Sequence, residues 1–181
     1  MASIPPPPGA WLHPDAEVRR SAIAGSGLFA RAPIPAGTVV ARFGGRLVTD
    51  AELRELFAEA ADRPDRPYID TIAVTESTHL VLPPRGERSI GYGNHGCDPT
   101  LWWDGPYTLV ARRAIPEGDE LTSDYATSTW DSGFVMPCSC GAPIECRGTV
   151  TGDDWRRPEL WARYGDHWTP ALLARIAAAR R

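Results

Sequence analysis

The stretch Gly91-Tyr92-Gly93-Asn94-His95-Gly96-Cys97-Asp98-Pro99-Thr100 decides how this chain is read. Its glycines, Asp98 and Pro99 mark a turn-forming segment rather than a helix or a central strand. An Asn-His pair and a cysteine stand side by side in it, so ligand holding and metal ligation can meet in one short run. The remaining cysteines lie some forty residues on, as Cys138-Ser139-Cys140 and Cys146. Between the two clusters sits a second compact signature, Glu120-Leu121-Thr122-Ser123-Asp124-Tyr125.

Four cysteines permit two disulfides or one four-thiolate metal site. Cys138 and Cys140 are one residue apart, which disfavours a bridge between them, and the N-terminal residues do not read as a secretion signal. Cys138, Cys140 and Cys146 present three sulfurs from one loop tightened by Gly141 and Pro143, and tetrahedral zinc then needs Cys97 as the fourth. A closed site of four sulfurs leaves no open coordination position, so the expected Zn²⁺ is structural.

Taken whole, the 181 residues read as one β-rich domain with short tails. With 17 Gly and 18 Pro, turns and short strands are favoured over long helices. A net charge of −4 leaves no basic face, so direct nucleic-acid binding is not expected. No apolar run reaches membrane-span length, and a monomer in the cytoplasm is the expectation. All 19 basic residues are arginine, and this lysine-free, Ala- and Pro-rich composition points to a GC-rich bacterial genome and a bacterial cytosol.

Residues 1–18, with Pro5 to Pro8, read as a flexible arm. Gly25-Ser26-Gly27-Leu28 suits a sharp turn with close backbone approach. A repeat follows: Leu28 to Val40 matches Leu109 to Leu121 without a gap, sharing Leu, Ala, Arg, Ile, Pro and Gly at equal offsets. Each copy reads as a β-hairpin around Ile-Pro-x-Gly. Phe43-Gly44-Gly45-Arg46 reads as another hairpin turn. Thr49 or Asp50 caps a helix to about Ala61, strands are expected over 69–74, 79–82 and 107–112, and 158–181 reads as helices broken near Gly165.

In these motifs the chain resembles SET-domain protein lysine methyltransferases that carry a post-SET zinc module. Gly25 to Leu28 resembles the family's Gly-x-Gly cofactor motif. Asn94 to Thr100 resembles Asn-His-Ser-Cys-x-Pro-Asn, Glu120 to Tyr125 resembles Glu-Leu-Thr-x-Asp-Tyr, and Cys138 to Gly148 resembles the post-SET segment. The resemblance implies small curved sheets with a threaded, pseudoknot-like crossing near the tyrosine. It divides the chain into a SET domain over 19–137, a post-SET segment over 138–150 and a helical tail over 151–181.

The resemblance also implies S-adenosylmethionine as cofactor, held around Ser26, Gly27, Leu28, Asn94 and His95, with Tyr125 as the catalytic tyrosine. Tyr68, Tyr92, Ser123 and Trp130 are expected along a channel for the substrate lysine, with Phe134 and Trp155 as further aromatic candidates. The implied partner is a lysine-bearing protein, histone-like or otherwise basic. A catalytically silent peptide-binding module is the alternative. The chain departs from the pattern at Ser123, where Phe or Tyr is common, at Gly96 for Ser, at Thr100 for Asn and at Gly91 for Arg.

Overall fold

The computed structural model describes residues 5–65, 69–86 and 90–181, and short strands dominate them. In chain order the strands are β1 (Trp11–Leu12), β2 (Ala16–Arg20), β3 (Ser26–Ala30), β4 (Val39–Arg42), β5 (Arg46–Thr49), β6 (Thr71–Thr75), β7 (Thr78–Val81), β8 (Leu101–Trp103), β9 (Thr108–Ala111), β10 (Val135–Pro137) and β11 (Thr149–Thr151). The helices are α1 (Asp50–Asp62), α2 (Pro158–Tyr164) and α3 (Pro170–Ala179). Four small antiparallel sheets result, ordered β1-β4-β9-β8, β5-β7-β6, β2-β3 and β10-β11. This is the β-rich fold of small sheets expected from the sequence. Among the described residues no helix is long and apolar enough to cross a membrane.

The two repeat copies are not two hairpins; they pair with each other. Ile34 and Ile115 exchange both backbone hydrogen bonds, at 2.9 and 2.8 Å. Gly37 N–H donates to Ala111 O at 2.8 Å, and the equivalent Gly118 N–H donates to Ala30 O at 2.7 Å. Ala111 N–H to Thr38 O and Ala30 N–H to Asp119 O repeat the relation at 2.9 and 3.0 Å. The copies are therefore related by a local twofold through the Ile34–Ile115 pair, and both isoleucines are almost fully buried. Each Ile-Pro-x-Gly turn keeps its glycine at positive φ, 78° at Gly37 and 89° at Gly118.

Two further expectations are corrected. Residues 11–12 and 16–18 lie in strands rather than in a mobile arm, because Ala16 is buried and Leu12 and Val18 pack on the core. Phe43 to Arg46 is a crossover between two sheets, not a hairpin turn, since β4 and β5 have different partners. Its glycines serve close backbone approach: a Cβ at Gly44 would lie 2.2 Å from the Gly9 carbonyl carbon, and one at Gly45 2.2 Å from Val81 O.

α1 opens on a capping box. Glu52 N–H donates to Thr49 Oγ1, and Thr49 N–H donates to Glu52 Oε2 at 2.7 Å. The main core gathers Leu28, Ile34, Val40, Leu80, Leu101, Trp103, Ile115 and Leu121 between the sheets. A second core stands apart, with Trp155, Leu160, Tyr164, Trp168, Leu172 and Ile176 packed around Ala126. The apolar residues of the helical tail thus build a core of their own.

Candidate active site and cysteine cluster

Glycine and threonine let the two signature segments run side by side. Ser123 N–H donates to Asn94 O at 3.2 Å, and Gly96 N–H donates to Ser123 O at 3.0 Å, a parallel bridge between His95 and Ser123. Further along, Leu101 N–H donates to Thr122 O, and Thr122 N–H donates to the Thr100 hydroxyl at 3.0 Å. That hydroxyl in turn donates to Glu120 O. The residue standing in place of the family's Asn at 100 thus binds the second signature.

One flank of this pair carries a polar cradle. Asn94 Nδ2 donates to Glu120 Oε1 at 2.8 Å and to Ala24 O and Ser26 O at 3.2 Å. The Ser21 hydroxyl reaches the same Glu120 carboxylate at 2.8 Å. Gly27 leaves room for it, since a Cβ there would meet the Glu120 carboxylate and lie 3.0 Å from Asn94 Nδ2, displacing these side chains.

The other flank opens into a cavity of about 620 Å³. Tyr125, Ser123, Gly93, Trp130 and Phe134 line it, together with Leu53 and Phe57 of α1 and Asp70 just before β6. The Tyr125 hydroxyl donates to Gly93 O at 2.9 Å. Burial raises the Asp70 carboxyl above its ordinary pKa, against the pull of Arg85.

Beneath Tyr125 lies His95, only 2% exposed. Its Nδ1 accepts the Tyr125 backbone N–H at 3.2 Å, so the ring proton belongs on Nε2, which points at Cys97 Sγ at 3.2 Å. Burial pushes the His95 pKa down to about 4, and the imidazole is neutral. Cys97 Sγ also accepts the Arg147 N–H at 3.4 Å. The Cys97, Cys138, Cys140 and Cys146 sulfurs lie within 4.8 Å of one another and are not disulfide-bonded. Cys97 and Cys138 are 3.7 Å apart, far beyond an S–S bond of about 2.05 Å and close to the ~3.75 Å edge of a tetrahedron with 2.3 Å metal–sulfur bonds. The donor set fits one thiophilic ion.

Asp124, buried beside Tyr125, binds the two signatures to the C-terminal region. Arg147 grips it with Nη1 and Nη2, both at 2.7 Å, and the Tyr164 hydroxyl donates to Oδ2 at 2.7 Å. Arg147 Nε pairs with Asp154 at 2.9 Å, off the hydrogen-bond direction. Burial alone would lower the Arg147 pKa, yet the Asp124 hydrogen bonds hold it raised, so the guanidinium stays charged.

Small sheets folded around two laced segments, with a tyrosine above a four-sulfur cluster, define a SET-type architecture. A sequence model of the SET domain matches residues 25–126, and the chain belongs to the SET-domain family. It is 29% identical over 161 residues to histone-lysine N-methyltransferase ash1 of Drosophila melanogaster, covering 80% of this chain and 7% of that protein. Against human histone-lysine N-methyltransferase 2B it is 32% identical over 140 residues, 72% of this chain and 5% of that one. The chain thus spans a small fraction of these relatives' lengths. The solved methyltransferase domain of human histone-lysine N-methyltransferase SETMAR is similar in fold, with TM-score 0.58 and 26% identity over 76% of this chain and 58% of that chain.

Of the residues singled out from sequence, Gly27, Asn94, His95, Cys97, Ser123 and Tyr125 converge on one site. Ser26 offers its carbonyl to Asn94, and Leu28 is buried along the cavity wall. Ser123 and Trp130 line the cavity; Tyr92 is not among its lining residues and packs on the core beneath Arg85. Tyr68 lies outside the described residues. Trp155 is not a channel residue, being held in the second core. Sequence reasoning missed Tyr164, Asp154 and Arg163. Arg147 had one local signal, its place directly after Cys146.

Proposed function

We propose that this chain is an S-adenosylmethionine-dependent protein lysine N-methyltransferase acting on a lysine of another, basic protein such as a histone or histone-like protein. The observation that carries the reading is the two-sided geometry of the laced segments. The Asn94–Gly27–Glu120 cradle lies on one flank, and the apolar cavity with the Tyr125 hydroxyl anchored on Gly93 O lies on the other. The family membership and the histone-lysine methyltransferase relatives support it.

S-adenosylmethionine would supply the methyl group as a sulfonium. The backbone around Ser26, Gly27 and Leu28, with Asn94 and the backbone of His95, would hold it. Tyr125, kept in place by Gly93 O and His95 Nδ1, lines the passage to the cavity. Methyl transfer to an amine is an in-line displacement governed by positioning and desolvation. A free lysine titrates near pH 10.4, and the apolar walls disfavour its charged form so that the neutral amine is presented. The acceptor lies outside these 181 residues, none of which is lysine. Zn²⁺ at Cys97, Cys138, Cys140 and Cys146 is structural in this reading and takes no part in the transfer.

The test is incubation of the purified chain with methyl-labelled S-adenosylmethionine and core histones or a lysine-bearing proteome, beside Tyr125→Phe. Label on lysine, reduced at least tenfold in the variant, is the expected result. Cofactor binding by thermal shift without any transfer would overturn the enzyme and leave a peptide-binding module.

A further inference from the structure

We infer that α2 is a positioning clamp for this site, with Arg163 holding the metal-cluster loop and Tyr164 holding the residue that precedes Tyr125. Only the kinetic part of its test rests on the methyltransferase reading.

The two consecutive residues reach two different parts of the site. Arg163 Nη1 donates to Cys97 O at 2.9 Å, and its Nη2 pairs with Glu145 in the loop between Cys140 and Cys146. Tyr164, 1% exposed, gives its hydroxyl to Asp124 Oδ2 at 2.7 Å. The Asp124 carboxylate is saturated by this contact. Oδ1 takes Arg147 Nη2 and the Ala126 N–H, and Oδ2 takes Arg147 Nη1 and Tyr164. The Ala126 bond closes the turn Tyr125–Thr127, so the load on Asp124 sets the backbone that carries the Tyr125 ring.

Packing alone does not account for Tyr164. A phenylalanine would fill the same volume in the second core, and the hydroxyl has its partner in Asp124. Burial and the adjacent carboxylate both raise the Tyr164 pKa, keeping it a protonated donor. α2 is sharply bounded, opening on Pro158 and closing at Gly165 with φ of 52°. The SET-domain match ends at residue 126, so both prongs come from outside the matched segment.

The experiment uses the full chain, zinc-loaded, as wild type, Tyr164→Phe, Arg163→Gln and Ile176→Val. The last trims the same second core by one methylene without touching either prong. Three readouts are taken: amide hydrogen exchange over residues 122–128, zinc release to a chromogenic chelator, and kcat and KM for methyl transfer. Tyr164→Phe is expected to speed exchange at Ala126 and Thr127 at least fivefold and to lower kcat about tenfold, with KM within twofold of wild type. Arg163→Gln is expected to speed zinc release at least fivefold. Ile176→Val should move none of these by more than twofold. The clamp is overturned if Tyr164→Phe leaves exchange unchanged, or if Ile176→Val reproduces its effects, which would reduce α2 to bulk packing. Should Tyr164→Phe not fold, the Arg163→Gln release rate decides alone. Should the wild type transfer no methyl, the functional reading fails, while exchange and zinc release still decide the clamp.

Discussion

A side chain at position 96 would have nowhere to go. A Cβ on Gly96 would lie 2.7 Å from Thr122 Oγ1 and 3.0 Å from Thr122 Cβ, inside contact distance of a branched residue in the second signature. Gly96 is therefore matched in size to Thr122 in this chain. Gly96→Ser is expected to cost about 1–3 kcal/mol through overpacking, and adding Thr122→Ala should recover at least half, read as urea midpoints in a double-mutant cycle. Independent, additive losses would refute the match. Ser123 makes a second residue-level case. It lines the cavity next to Tyr125, so Ser123→Phe removes room where a methylated amine must sit. Intact-mass analysis of a product peptide should shift toward fewer methyl groups, and an unchanged distribution would contradict this. At this scale much was legible. Asn94, Cys97 and Tyr125 stand in short motifs whose chemistry is local. From sequence, Glu120 reads only as structural or charge-balancing, because its partners Ser21 and Asn94 are 99 and 26 residues away and no motif joins them.

Among elements, the loop from Cys138 to Cys146 and the turn at Cys97 are joined chiefly through sulfur. Cys138 N–H to Gly148 O closes the loop on itself, whereas its ties to the site are the cysteine cluster and the Arg147 and Arg163 contacts. Four sulfurs within 4.8 Å need a cation to stay as thiolates, so metal removal should release this loop. Stripping zinc with a chelator is expected to abolish at least nine-tenths of methyl transfer and to open residues 138–148 to protease. Added zinc should restore both. Retained activity in a metal-free preparation would disprove the coupling, which runs from Cys97 through the His95 ring to the Tyr125 N–H. Elements were less legible than residues. The Ile-Pro-x-Gly repeat announced both turns and the strands β3, β4 and β9, although only an isolated bridge at Glu120 follows the second turn, and a hairpin and a pairing with the other copy satisfy the same local pattern. Register across 81 positions leaves no mark in sequence periodicity; the Ile34–Ile115 bonds and the symmetric pairs around them reveal it.

Over the whole molecule, two cores meet at the segment that carries Tyr125. The main core ends at Leu121, the second begins at Ala126, and only a few residues separate them. The tail is bound back at several points besides Asp124. Thr169 N–H donates to Thr127 O at 3.0 Å, and His167 stacks on Trp102 at 3.5 Å between ring centres while its Nδ1–H donates to Trp103 O. Nothing in the sequence of 151–181 points to these partners, since a Trp- and Leu-rich helical tail reads the same whether it docks on a neighbour or builds its own core. The consequence is cooperative. A second core this small gains its stability from Ala126 and the Asp124 network, and those in turn depend on it. Trp168 is 1% exposed and central to that core, and Trp168→Ala is expected to cost about 3–5 kcal/mol. Because the cores share the Tyr125 segment, the loss should lower a single transition. Far-UV circular dichroism, near-UV signal and exchange protection of β3, β4 and β9 are expected to fall together during denaturation. An early transition in which α2 and α3 melt while those strands stay protected would show two independent units, with a tail that stands beside the site rather than within it.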